Sequence, residues 1–293
     1  MAFDSSTEAA PSRDTPSTPT AREDGLMGRE VLPGLHWFYE PGPDRRGMVV
    51  EDGDGPDWYE PGAAVRIPQC AYLFEGEQSL LFDTLSPASR DEILAELDDA
   101  LDGGSLDYLV VSHPDVPHAG NASAIRDAYD DVTLVAPRYG NGHDLYHLDE
   151  AMHVGEGDDI DLGGFEVAFH EATFLDAPVS LWMTERTREM LLPVDWMGFP
   201  HLHADRLTCV DELDGDLALD QLVEFHGRVL FWHQYVDVEK VQREIRRVVE
   251  TYDPELVLPT HGLVIRERAT EYLERMTDVV AEIERRDRIG ALG

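Results

Sequence analysis

The chain is poor in cations. Of its 293 residues only 23 are Lys or Arg, against 60 Asp or Glu, and Lys240 is the single lysine. The formal net charge of −37 runs along the whole sequence instead of gathering in a tail. Such a surface repels nucleic acid and anionic lipid, so neither is expected as a partner. It stays soluble where salt screens its self-repulsion, which points to a salt-adapted, haloarchaeal cytoplasm. Cysteine is equally scarce. Cys70 and Cys209 are the only two, which excludes a disulfide framework and a thiolate zinc site and leaves two small buried hydrophobes. No apolar run is long enough to span a bilayer or to form a signal-peptide core, so no membrane association is expected. A Gly-x-Gly-x-x-Gly turn after the first strand is also missing, which argues against a doubly wound dinucleotide-binding domain.

The remaining sequence is rich in punctuated apolar runs. Residues 1–30 are Ser-, Thr-, Pro- and Asp-rich without apolar periodicity. They read as a disordered tail, because they bury too little to offset chain entropy. Residues 31–293 read as one domain. Val31–Tyr39 is expected to be its first strand, followed by a Pro/Gly/Asp-rich insertion over residues 40–63. Cys70–Phe74 and Ser79–Asp83 form a hairpin pattern, and Ser89–Leu101 carries helical spacing that stops at Gly103-Gly104. Strand patterns recur at Leu106–Val111, Val132–Val135, Ile160–Leu162, Phe165–His170, Val179–Thr184, Met190–Pro193 and Glu255–Leu258. Helical patterns fall at Ala119–Tyr129, Leu217–Phe225, Val238–Tyr252 and Arg266–Arg286, while 144–153 is ambiguous. This order predicts an α/β (α+β) domain with two sheets inside and helices outside.

The chain is organised around Leu109–Asn121, where His113, Asp115 and His118 fall at the end of a predicted strand. Three potential ligands on a loop held by a rigid strand suit a preorganised metal site. The competing reading is a polar turn, or for His118 a helix start. Asp176, Asp195 and His261 end other predicted strands. Three imidazoles and three carboxylates suit one or two divalent metals and fit no structural zinc site. Asp195 lies within the apolar run Leu191–Met197, where an unpaired carboxylate would be costly, so a partner is expected. Asp176, just before Pro178, reads equally as a turn residue.

These residues resemble the metallo-β-lactamase superfamily over roughly Val31–Glu284. The family loop His-x-His-x-Asp-His, continued by Gly-Asn, is matched by His113-Pro-Asp115-Val-Pro117-His118-Ala-Gly120-Asn121. Asp83-Thr84 and Thr260-His261-Gly262 match its early strand end and its last-ligand motif. The chain looks most like the di-iron domain of flavodiiron proteins, whose loop carries a carboxylate where Asp115 stands. The resemblance implies a four-layer αββα sandwich. It also implies two divalent metals, iron first and zinc or manganese as alternatives. His113, Asp115 and Asp176 would hold one metal, His118 and His261 the other, and Asp195 would bridge. Pro117 stands where the family places a further Asp ligand, and Asp176 where it places a histidine. His201 or His203 is a candidate replacement ligand, or else lines the mouth or the surface. His233 and Asp83 are candidates for support behind the ligands, with His233 equally at home in an aromatic patch. The flavodoxin module of flavodiiron proteins finds no counterpart before the chain ends.

Three functions follow. The first is a flavodiiron-like protein binding or reducing dioxygen, peroxide or nitric oxide, with an external redox partner and a homodimer as an option. The second is a metal-dependent hydrolase of an ester, thioester, lactone or phosphoester. The third is a non-catalytic scaffold or sensor.

Overall fold

The computed structural model describes residues 25–50, 55–138, 151–176, 179–286 and 289–290. Most of the expected tail (1–24) and of the ambiguous stretch (144–150) lies outside them. The expected first strand is two strands, β1 (Met27–Leu32) and β2 (Leu35–Glu40). Pro33-Gly34 turns the chain between them. Gly34 has φ +77, and a Cβ there would sit 2.7 Å from the Glu75 carbonyl oxygen, so glycine is required. Strand structure therefore starts inside the segment read as tail.

The chain continues through α1 (Arg46–Val49), β3 (Val65–Arg66), β4 (Gln69–Glu75), β5 (Ser79–Phe82), α2 (Arg90–Ala100) and β6 (Tyr108–Val110). Next come α3 (Val116–Ala119), α4 (Ala122–Ala128), β7 (Thr133–Pro137), β8 (Met152–Val154), β9 (Asp159–Asp161) and β10 (Glu166–Glu171). The last elements are β11 (Leu181–Glu185), β12 (Met190–Leu192), β13 (His201–Leu202), α5 (Leu219–His226), α6 (Val238–Tyr252), β14 (Leu256–Val257) and α7 (Ala269–Arg285).

One sheet has the order β1-β2-β4-β5-β6-β7-β8, antiparallel up to β5 and parallel from there on. The second has the order β14-β12-β11-β10-β9, with β12 and β14 parallel. β3 and β13 form a separate ribbon. Period-two alternation sorts the side chains. Trp37, Tyr39, Tyr72 and Phe74 face the second sheet and join Phe165, Val167 and Phe169 in one core. Phe38, Ala71, Leu73 and Leu81 face outward and pack with Ile93 and Leu97 of α2 and Ile125 of α4. On the other side, Tyr252 of α6 packs on Trp182 and His170 of the second sheet. The result is the four-layer αββα sandwich. α6 shows why its sequence is helical: Val241, Ile245, Val248 and Val249 share one buried face, and the Asp237 side chain caps the start by accepting from Lys240 N. Among the described residues no helix is long and apolar enough to cross a membrane.

The sandwich gathers strand ends at one edge. β5 leads into Asp83-Thr84, β6 into Ser112-His113, β12 into Val194-Asp195 and β14 into Thr260-His261. The backbone is left-handed at Asp83 (φ 65), Val194 (φ 56) and Met197 (φ 70). A β-branched residue such as Val194 adopts that region only under constraint, and such strain concentrates at functional sites.

Candidate metal centre

Asp195 is the centre of the cluster. Its Oδ1 lies 3.2 Å from His261 Nε2 and 3.4 Å from His118 Nε2, and its Oδ2 lies 3.8 Å from His113 Nε2. His113 Nε2 in turn lies 3.7 Å from Asp176 Oδ1 and 3.9 Å from Asp115 Oδ2. All six residues that the sequence singled out therefore meet at one place. Asp115 is largely exposed and Asp176 stands at the rim, while His113, His118 and Asp195 are buried.

The imidazoles are oriented from behind. His261 Nδ1 donates to the Pro68 carbonyl at 2.8 Å, which turns Nε2 toward the Asp195 carboxylate. His118 Nδ1 lies 2.7 Å from Asp83 Oδ2. Asp83 is itself held by Ser112, whose backbone N–H donates at 2.9 Å and whose hydroxyl donates at 3.1 Å. His113 Nδ1 lies 3.5 Å from the Ser112 hydroxyl. Each ring thus presents Nε2 to Asp195.

Electrostatics follow from this packing. Burial lowers the His113 pKa to about 3, so that ring is neutral. Burial also opposes charge on His118, but Asp83 and Asp195 outweigh it and raise the ring to about 10. Burial would raise Asp195, yet His118 and the other two imidazoles hold it well below the usual carboxylate range. Burial and the neighbouring Asp195 raise Asp176 to about 7. In the metal-free chain a proton on His118 Nε2 stands where a cation would otherwise bind.

The donor set fits metal. His113 Nε2 and Asp195 Oδ2 are buried without any hydrogen-bond partner. Orphan polar atoms of this kind are costly and need a function or a ligand. Among the described residues two ligand groups satisfy the spacing for an ion, His113–His118–Asp195 and His113–Asp115–Asp176, and His261 adjoins the first through Asp195.

The other candidates separate. Asp83 supports His118. His201 and His203 do not replace the missing ligand, because the β3–β13 ribbon takes their rings elsewhere. His201 Nδ1 donates to the Leu202 carbonyl, and its Nε2 accepts from the Tyr39 hydroxyl at 3.1 Å. His203 Nδ1 accepts from Arg66 at 3.1 Å. His233 donates to the Leu230 carbonyl and stacks on Trp232, ring centroids 4.0 Å apart, so it belongs to the aromatic packing and not to the ligand support.

A cavity of about 200 Å³ opens onto Asp195 and His261. Its walls include Pro43, Arg45, Ile67, Gln69, Phe225 and Val229. Pro43 and Arg45 come from the 40–63 insertion, which is thereby part of the site. Sequence reasoning missed Ser112, Pro68, Arg45 and Gln69. For Ser112 the signal was its place next to His113; the other three carry no motif.

Comparison with known proteins agrees with this architecture. Nitric oxide reductase from Moorella thermoacetica is 26% identical over 211 residues, covering 70% of this chain and 51% of that protein. An anaerobic nitric oxide reductase flavorubredoxin from Vibrio vulnificus is 24% identical over 255 residues, covering 85% and 49%. The chain spans about half the length of these curated relatives. Among solved structures, rubredoxin oxygen:oxidoreductase from Desulfovibrio gigas superposes with a TM-score of 0.64 at 21% identity, covering 88% of this chain and 61% of that one. The metallo-beta-lactamase superfamily pattern matches residues 65–217, more than half of the sequence and most of the ligand positions. On that match and the αββα sandwich that carries the cluster, the chain belongs to the metallo-beta-lactamase superfamily.

Proposed function

We propose that the chain is a flavodiiron-like dinuclear metalloprotein that binds or reduces dioxygen, peroxide or nitric oxide with electrons from an external donor. The observation that carries this reading is the position of Asp195, one oxygen toward His118 and His261 and the other, unpartnered, toward His113. A carboxylate so placed would serve two cations. His113, Asp115 and Asp176 would hold the first, and His118 and His261 the second. Carboxylate oxygens mixed with imidazole favour iron, with manganese next and zinc tolerated. When bound, such a pair supplies one-electron exchange with a small oxidant at open coordination positions.

The protein's own residues do the rest. Asp83 and the Pro68 carbonyl fix the rings of His118 and His261 before any metal arrives. Ile67, Phe225 and Val229 give the cavity an apolar wall that limits water around a bound small molecule. Asp115 puts a carboxylate where the general family loop has a histidine, as the flavodiiron loop does, which favours the redox reading over hydrolysis. The names of the relatives, nitric oxide reductase and rubredoxin-oxygen oxidoreductase, suggest the substrates. An external redox donor is the partner this reading calls for, with a homodimer as an option, in a salt-adapted haloarchaeal cytoplasm.

The test is elemental analysis and an optical spectrum of protein purified at high salt from its native host. Gas-uptake assays with a photoreduced donor follow. Iron, an oxidised-minus-reduced difference in the near ultraviolet, and consumption of dioxygen or nitric oxide are expected. Zinc alone, with ester turnover lost in His113→Ala and no gas uptake, would overturn the proposal in favour of the hydrolase.

A further inference from the structure

We propose that Gln69 supplies the oxygen donor that Pro117 cannot, completing the second cation position. This inference rests on reading the centre as dinuclear. That position has His118 Nε2, His261 Nε2 and one Asp195 oxygen. Pro117, in the first turn of α3, lines the same cavity but offers no donor atom. Neither His201 nor His203 reaches it.

Gln69 has the required properties. Its Oε1 is buried without a hydrogen-bond partner, and Gln69 lines the cavity onto which His118, Asp195 and His261 open. A buried amide oxygen left unpaired is costly, so a wall that keeps one favours a compensating ligand. Two contacts fix where Gln69 stands. On one side the Pro68 carbonyl accepts from His261 Nδ1 at 2.8 Å. On the other, Cys70 N donates to the Thr260 carbonyl at 2.8 Å. Gln69 is therefore bracketed by the two anchors that hold the last ligand. β4, which Gln69 opens, also packs against α3, which carries Pro117 and His118. Gln69 and Pro117 thus line one cavity from elements in contact.

The substitution has a chemical consequence. An amide carbonyl is a hard oxygen donor suited to the metals that carboxylates bind, but it is neutral. The second cation then has less compensating charge than a second carboxylate would give. It should load after the first and leave more readily.

The test is chelator-buffered titration of the metal-free protein with Mn(II) or Co(II) at high salt, with metal counted by elemental analysis. Wild type should take up two ions in two resolved steps. Gln69→Leu should keep the first step and weaken the second by at least about tenfold. Adding Pro117→Asp to Gln69→Leu should restore it, and Gln69→Glu, equal in size but charged, should tighten it. Melting in chelator controls for folding, since the metal-free variants should melt like wild type. A second step unchanged in Gln69→Leu, or a wild type that stops at one ion, would overturn the assignment while leaving the His113 position intact. A wild type that binds no ion would overturn the dinuclear reading itself.

Discussion

Nδ1 of His118 lies 2.7 Å from Oδ2 of Asp83, both fully buried, and this contact turns Nε2 of the ring toward Asp195. A carboxylate behind a ligating imidazole fixes its orientation and raises its basicity. Asp83→Asn keeps the shape and removes the charge. The variant should bind metal on the order of 10–100-fold more weakly, measured by competition with a calibrated chelator. Unchanged affinity would mean that the Asp83–His118 pair serves packing only.

Metal removal should destabilise the fold, because the ligands converge only when distant strand ends come together. An ion at 100 times its dissociation constant contributes about 2.7 kcal/mol, so chelation should lower Tm by roughly 5–10 °C. Calorimetry with and without chelator measures this. His113→Ala should abolish most of the difference by removing a ligand of the position that loads first.

Acid should weaken the protein independently of metal through His201. Burial lowers that ring's pKa from 6.5 to about 4. Between these values the unfolded chain holds a proton that the folded chain refuses. The contribution is complete above pH 6.5 and is lost as pH falls through 4, amounting to about 3 kcal/mol. His226 and His233, lowered to about 3 and about 4 by burial, act with the same sign. Urea unfolding of chelated protein from pH 8 to pH 4 should show the decline. His201→Gln keeps an acceptor for Tyr39 and a donor for Leu202, so its decline should be shallower.

Much of this was legible in the sequence, for definite reasons. The candidate ligands His113, Asp195 and His261 follow apolar runs that read as buried strands, and strand ends are where side chains converge. The β9–β10 and β11–β12 hairpins were marked by apolar runs on either side of turns at Gly163-Gly164 and Glu185–Arg188. The first strand was misjudged because Pro33-Gly34 was passed over inside a continuous apolar run, although such a pair is a turn signal. The fates of His201 and His203 were not legible. A two-residue ribbon pairing Val65-Arg66 with His201-Leu202 decides where both rings point, and two residues carry no periodicity. Gln69 was invisible because an amide becomes a plausible ligand only once its burial and lack of a partner are known.

Salt should stabilise the fold. The described surface does carry local attractions, such as Arg29 and Arg266 both on Glu212, and Arg268 and Arg275 both on Asp216. Exposed pairs of this kind contribute about 0–1 kcal/mol each, and screening weakens them. Against them stands an excess of 37 negative charges over the whole chain, whose repulsion acts at longer range. Raising salt from 0.1 M to 1 M shortens the screening length from about 10 Å to about 3 Å, which removes the long-range repulsion before it removes contacts in direct touch. Tm should therefore rise with KCl through the molar range, and most of the rise should come before sucrose at matched osmolality has any comparable effect. A Tm that stays flat or falls between 0.1 and 3 M KCl would show that the contact pairs outweigh the net charge.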